Sequence, residues 1–191
     1  MTKINFTVPF RRKREGKTYY RKRLKLLMSN KYRIVIRKSL KNIQISLVFF
    51  NPKGDQILLT VNSKSLSKLG WKGDSGNISS AYLTGMLAAK KSKEKGIEEA
   101  ILDLGFDKSV KGTRIYAALA GAIDAGLKIP HDQEMFPKKE RIAGEHIAKY
   151  AQSIKNDKTA YQRQFSAYLK RGLNPEDIVK HFNEIKVKVN G

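Results

Sequence analysis

The positive charge of this chain is concentrated at its start. Residues 1–41 contain 15 of the 39 Lys and Arg residues, and Glu15 is their only acidic residue. The other 150 residues hold 24 basic and 16 acidic residues, which is far closer to balance. A block of like charges repels itself until an anion neutralises it. We therefore expect this segment to bind a polyanion; the alternative is a tail that only aids solubility.

The net charge of +22 points to a nucleic acid or an anionic membrane surface as the partner. No apolar run approaches the roughly 18 residues that a membrane span needs, and residues 1–10 show no signal-peptide pattern. Cysteine is absent, which excludes disulfides and thiolate chemistry. We expect a soluble, cytoplasmic protein with no membrane partner.

The basic segment is predicted to be partly helical. A cluster, Arg11–Arg14, precedes a short helix from Tyr19 to about Ser29, with Thr18 as its N-cap. The helix has one thin apolar stripe of Tyr20, Leu24 and Leu27. Its remaining positions are largely basic and suit phosphate oxygens. Tyrosine rings here could stack on unpaired bases or pack into the core.

Three strands are predicted next, over residues 32–38, 42–50 and 56–61. Short connections with turn residues at 51–55 favour an antiparallel meander. On the first strand Arg33 and Arg37 share the face opposite the apolar residues. Two cations fixed on a sheet could discriminate between RNA shapes, or simply belong to an ordinary solvent face.

The chain then alternates helix, strand and helix. A helix is expected from about Ser79 to the residues before Gly96, and a buried central strand over residues 100–104. A second helix runs from about Arg114 to Gly126. This order predicts an α/β (α+β) fold, in which helices cover a mixed sheet. Lys111 and Arg114 flank the start of the second helix and could hold a phosphate there, although capping by Thr113 explains the same residues.

Beyond Pro130 the sequence predicts a helical C-terminal extension. Residues 138–152 could form one helix, and Pro175-Glu176-Asp177 resembles the first turn of another, capped by Asn174. These pieces are too short and polar for a core of their own, so we expect them to wrap the main domain or a partner. The predicted organisation is an arm (residues 1–31), an α/β core (32–130) and the extension (131–191).

No catalytic constellation is evident in the sequence. The three histidines are far apart and lack metal-ligand spacing. Asp55, Asp103 and Asp107 could gather at strand ends and hold magnesium, as in a nuclease; carboxylates of this kind more often cap a backbone group or pair with a lysine. We expect no enzyme activity, no metal site and no cofactor, with a magnesium-dependent nuclease or a generic basic RNA binder as alternatives.

Several motifs occur in an order that resembles a known family, the large-subunit ribosomal protein family L-eighteen, whose eukaryotic members are called L-five. The most specific motif is Gly121-Ala122-Ile123-Asp124-Ala125-Gly126-Leu127-Lys128-Ile129-Pro130-His131. The others are Arg11–Thr18 with Tyr20, Arg23-Leu24 and Leu26-Leu27, then Arg33, Val35, Arg37–Ser39, Ile43, Gly76-Asn77, Ser80–Gly85, Ala100–Asp103, Arg141-Ile142, Gly144 and His146–Ala148. The resemblance spans about residues 6–150, and the extension past His131 is similar to archaeal and eukaryotic members.

The resemblance implies a meander followed by α, β and α, with the basic arm lying on RNA. Family members bind 5S rRNA and help to attach it to the 23S-type rRNA in the central protuberance, beside other large-subunit proteins. It implies a structural role for His131, Asp103 and Asp124. The RNA contacts that it implies are Arg11, Arg12, Arg14, Lys17, Tyr20, Arg21, Arg23, Arg33, Arg37 and Lys41.

Overall fold

The computed structural model describes residues 7–191, so the first six residues of the arm lie outside the described part. The strands are β1 (Arg33–Lys38), β2 (Ile43–Phe49), β3 (Gln56–Asn62) and β4 (Ile101–Asp103). The α-helices are α1 (Arg11–Arg14), α2 (Tyr20–Leu27), α3 (Ile78–Glu94), α4 (Arg114–Asp124), α5 (Lys139–Ala143), α6 (Glu145–Ser153), α7 (Lys158–Lys170) and α8 (Ile178–Asn190). Short 3-10 helices cover Ser63–Leu69, Gln133–Met135 and Pro175–Asp177.

The four strands form one mixed sheet in the order β3-β2-β1-β4. β1, β2 and β3 are antiparallel neighbours, which confirms the meander, and β4 pairs parallel to β1. The predicted α/β (α+β) fold is therefore confirmed. The expectation of a central strand at residues 100–104 is wrong: β4 is a three-residue strand at the edge of the sheet.

One face of the sheet carries the main core. Apolar side chains alternate along β1 and β2, so that Ile34, Ile36, Ile45 and Leu47 are all buried in one cluster with α4 and part of α3. Helices α3 and α4 are in close contact at Gly85, where a Cβ would overlap the carbonyl oxygen of Ala118. The predicted ends of α3 and α4 are confirmed to within two residues.

The C-terminal extension packs on the other side of α3. Tyr82, Leu83 and Met86 of α3 form a second buried cluster with residues such as Phe182 and Ile185 of α8. The extension therefore wraps the main domain, as one of the two expectations had it. Residues 138–152 do not form one helix, because Gly144 takes a left-handed conformation (φ 92°) that ends α5 and separates it from α6.

The caps predicted at Thr18 and Asn174 are not made. Thr18 does not cap α2, and Asn174 makes no side-chain cap bond to the 3-10 turn at Pro175. Helix α7 was not predicted at all. Within residues 7–191 there is no helix whose length and apolar content would let it cross a membrane.

Candidate nucleic-acid interface

The arm presents its basic residues to solvent. Helices α1 and α2 contain no buried residue, and Leu24 of the predicted apolar stripe is exposed. The two helices are linked by a hydrogen bond of 2.9 Å from Arg12 Nε to Thr18 Oγ1. Thr18 therefore connects the helices instead of capping the second one.

Most cations of the arm have no carboxylate near them. Glu15 Oε2 lies 2.8 Å from Lys17 Nζ, and Glu15 Oε1 lies 3.7 Å from Arg11 Nε. Apart from Arg23, the remaining cations of α1 and α2 form no salt bridge with any residue of 7–191; these are Arg12, Lys13, Arg14, Arg21, Lys22 and Lys25. Exposed cations without internal partners are the groups that can exchange small counterions for RNA phosphates.

Alternating charges join the arm to the sheet in an arginine–aspartate cluster, which we define as Arg23, Asp55, Arg33, Asp103 and Arg37. Arg23 donates two hydrogen bonds to the Asp55 carboxylate, at 2.6 and 2.7 Å. Arg33 Nη2 lies 2.7 Å from Asp55 Oδ2, and Arg33 Nη1 donates to Asp103 Oδ2 at 3.1 Å. The cluster ties α2 to β1 through charge.

The opposite charges of the arginine–aspartate cluster shift the pKa values of Asp55 and Arg23. Burial alone would raise the pKa of Asp55, but the hydrogen bonds from Arg23 and the charges of Arg23 and Arg33 outweigh it and hold that pKa below its usual range. The hydrogen bond to Asp55 is likewise the main reason why the pKa of Arg23 is raised. Asp55 therefore stays ionised, and the bidentate pair keeps α2 in place at neutral pH.

Arg33 is buried, so the expectation that it shares an accessible face of β1 with Arg37 is wrong. Its side chain is only 2% exposed, since it lies between the two carboxylates. Arg33 Nη2 is close to the Asp55 carboxylate, but the geometry does not make a hydrogen bond. Arg33 Nε has no acceptor among residues 7–191. A guanidinium buried in this way cannot reach a phosphate, and its role is to join β1 to Asp55 and Asp103.

Arg37 is the sheet cation that remains open. Its side chain is 46% exposed, and Nη1 donates to the carbonyl oxygens of Asp103 (2.9 Å) and Ile36 (3.0 Å). The left-handed Gly105 leaves space for this guanidinium, because a Cβ there would clash with it. Arg37 is therefore a rigid, accessible cation near the arm.

The turn between β1 and β2 is held by Arg114. Nη1 of Arg114 donates to the carbonyl oxygens of Gly76 (2.7 Å) and Ser39 (3.1 Å). The turn exposes Lys41, which forms no salt bridge with residues 7–191. Arg114 thus supports the position of an exposed cation instead of offering its own charge.

Both cations of the predicted phosphate site at the start of α4 already have partners within the protein. Arg114 is bound to carbonyl oxygens, and Lys111 Nζ lies 2.6 Å from Glu134 Oε2. Thr113 makes no capping hydrogen bond, so the alternative explanation by capping is wrong, and the phosphate site stays a prediction.

An aromatic cleft lies beside the arm. Lys13, Thr18, Tyr19, Tyr20, Arg21 and Phe106 line a space of about 340 Å³. The ring centroids of Tyr19 and Phe106 are 5.9 Å apart, and Tyr20 contacts Phe10 at 5.2 Å. Sequence reasoning missed Phe106, because nothing local to the loop after β4 indicates that it meets Tyr19. Its only sequence signal is a large apolar side chain following a glycine in a loop.

The carboxylates of the nuclease hypothesis are engaged by cations. Asp55 and Asp103 belong to the arginine–aspartate cluster, and Asp107 lies 3.1 Å from Lys38 Nζ. Among residues 7–191 no group of three His, Asp or Glu side chains is placed to hold a metal ion. The carboxylates that the nuclease alternative would place around magnesium are therefore paired with cations instead.

The sequence matches the model of the family described as ribosomal large subunit proteins 60S L5 and 50S L18, over residues 4–97 and 91–132. The two matches together cover about two-thirds of the 191 residues. The chain belongs to this family.

As a member of the L5/L18 family, the protein is a structural component of the large ribosomal subunit, and its partners there are rRNA and other ribosomal proteins. The match includes the arm, the whole sheet, α3 and α4. It ends at residue 132, short of Arg141–Ala148, on which the resemblance also rested. The division into segments 1–31, 32–130 and 131–191 stays a prediction.

Proposed function

We propose that this L5/L18 protein binds 5S rRNA and helps to attach it to the 23S-type rRNA in the central protuberance. The observation that carries the proposal is the set of exposed cations in α1 and α2 that form no salt bridge with residues 7–191, placed beside the rigid Arg37. The proposed RNA-binding residues are Arg11, Arg12, Arg14, Lys17, Tyr20, Arg21, Arg37 and Lys41. Arg23 acts mainly by positioning α2, and Arg33 supports it from within the cluster.

The proposed mechanism combines charge with shape. The arm neutralises phosphates and releases their counterions, so affinity falls steeply with salt. Side chains cannot read the deep groove of an RNA helix. A protein therefore recognises folded RNA by its bulges, its loops and the arrangement of its phosphates. The cluster keeps the arm and Arg37 in one fixed arrangement, which favours RNAs whose phosphates match it.

Titration of the full-length protein with folded 5S rRNA and with tRNA, over a range of salt, tests the proposal. We expect binding to 5S rRNA to persist at salt concentrations that release tRNA. Equal affinities that fade together would contradict the named partner and leave a generic basic RNA-binding protein.

The sheet cation is expected to contribute to selectivity. Arg37→Gln should reduce the ratio of 5S rRNA affinity to tRNA affinity, because it removes a charge held in one place. Lys25→Gln is the matched control, since it removes an exposed charge from the arm and should weaken both RNAs alike. The division of roles fails if both variants lower both affinities equally.

A further inference from the structure

The aromatic cleft combines features that the binding of duplex RNA does not require. Phosphates along a helix need only cations, whereas large exposed aromatic rings are costly to leave in water. Phe106 is 51% exposed and Tyr19 is 41% exposed. Their exposure beside Lys13 and Arg21 is a combination found where proteins bind single-stranded nucleotides.

The rings are placed so that a base can stack on one of them but not between them. Their centroids are 5.9 Å apart and the planes are tilted by 58°. A base inserted between two rings needs about 7 Å, twice the contact distance of carbon atoms. Lys22 Nζ lies 5.4 Å from the Tyr19 centroid and takes one side of that ring. The exposed surface of Phe106 is therefore the better platform, with Tyr19 supporting it.

The loop that carries Phe106 is held in place on both sides. Gly105 N donates to Asp103 Oδ1 at 2.8 Å, and Asp107 pairs with Lys38. Phe106 is therefore fixed between two residues that are joined to the sheet. A ring held in this way loses little conformational freedom when a base stacks on it.

We propose that Phe106, supported by Tyr19, is a stacking platform for one unpaired nucleotide of the bound RNA, with Lys13 and Arg21 binding the phosphates beside it. The inference rests on the proposed RNA-binding function and adds a site that recognises an unpaired base. It explains how a highly basic protein could prefer a folded RNA with bulges over a continuous duplex of similar charge.

The test uses full-length protein and two hairpins with the same stem, one of which has a single bulged 2-aminopurine while the other has it paired. We expect the wild-type protein to change the fluorescence of the bulged base and not of the paired one. Phe106→Leu should abolish the change and weaken binding of the bulged hairpin and of 5S rRNA by about fivefold to 150-fold. The dependence of affinity on salt should stay the same, since no charge is removed.

Controls separate stacking from folding. Phe106→Trp should restore the fluorescence change, and Phe50→Leu, at an exposed phenylalanine outside the cleft, should behave as wild type. Circular dichroism melting shows whether Phe106→Leu remains folded. If Phe106→Leu is unfolded, the fluorescence change of Phe106→Trp decides whether an aromatic ring at this position stacks on the base. A free mononucleotide should not compete at concentrations near the RNA dissociation constant. Competition there would indicate a pocket for free nucleotides and overturn the proposal.

The outcome is independent of the partner named above. If Phe106→Leu binds the bulged hairpin and 5S rRNA as well as wild type does, the stacking platform is refuted, whether or not 5S rRNA is preferred over tRNA. If wild type shows no preference for 5S rRNA, the proposed partner fails, while the bulge-dependent fluorescence still tests the platform.

Discussion

The arm and the C-terminal extension are both charged and helical, yet different forces attach them to the α/β core. Helices α1 and α2 bury no residue, and the main polar connection of α2 is the bidentate pair of Arg23 with Asp55. Helix α8 instead buries Ile178, Phe182, Ile185 and Val189. The extension is therefore held by apolar contact, and the arm mainly by charge.

The difference follows from what each segment must keep accessible. Apolar packing of α2 would require a broad apolar face, and such a face would take positions now held by cations. One arginine in a bidentate pair orients the helix and leaves the other cations of α2 free. Helix α8 buries one apolar face and keeps its lysines at its other positions.

The largest expected effect is the loss of a buried ring in the extension. Phe182→Ala should lower the free energy of unfolding by about 3 to 5 kcal/mol, because Phe182 is buried against Tyr82. Chemical denaturation measures it. Val187→Ala, at an exposed position of α8, should change stability by less than about 0.5 kcal/mol. A small effect of Phe182→Ala would show that the extension is not part of the cooperative unit.

A slightly smaller loss is expected from the arginine–aspartate cluster. Asp103→Asn should cost about 3 kcal/mol, because it leaves Arg33 buried with only Asp55 as a charged partner. Glu134→Gln is the control: it breaks the exposed pair with Lys111 and should cost less than about 1 kcal/mol. Equal losses in thermal denaturation would mean that the cluster contributes no more than a surface pair.

The two regions should respond to acid in different pH ranges. Burial and the nearby Lys72 and Lys188 lower the pKa of His181 despite Glu184, so the stability from neutral His181 is lost as pH falls below about 6.5. The pKa of Asp55 is also lowered, so its contribution is complete above about 4 and is lost as pH falls through the folded value.

Denaturation at several pH values checks both ranges. His181→Asn should flatten the pH dependence between about 7 and 5, leaving the part due to His146, whose pKa burial also lowers. Asp55→Asn should flatten the dependence only below about 4. An unchanged slope in the first variant would mean that His181 does not couple the stability of the extension to pH.

The smallest effect on stability is expected for free cations of the arm. Arg14→Gln should change the free energy of unfolding by less than about 0.5 kcal/mol, because Arg14 is exposed and forms no salt bridge with residues 7–191. It should lower the slope of log affinity against log salt by about 1. An unchanged slope in RNA titrations would exclude Arg14 from the interface.

Much of the core could be predicted because its signals are local. Alternating apolar residues predicted β1 to β3, and Gly96 and Gly126 marked where α3 and α4 end. The break at Gly144 was missed, since a glycine within a charged helical pattern is often tolerated. The second core was missed because its residues come from α3, α4, α5, α6 and α8, and no single segment looks apolar enough to build it.

The proposed interface likewise has features that local sequence signals predict and features that only the tertiary structure decides. Charge density alone determined that this protein carries a basic arm suited to a polyanion, because like charges in sequence are also close in space. Only the tertiary structure decided which arginines are free. Arg33 and Arg37 are the same residue type on the same face of one strand, but Arg33 lies between Asp55 and Asp103, which are 22 and 70 positions away. Strand order brings those carboxylates together, and no local pattern contains it.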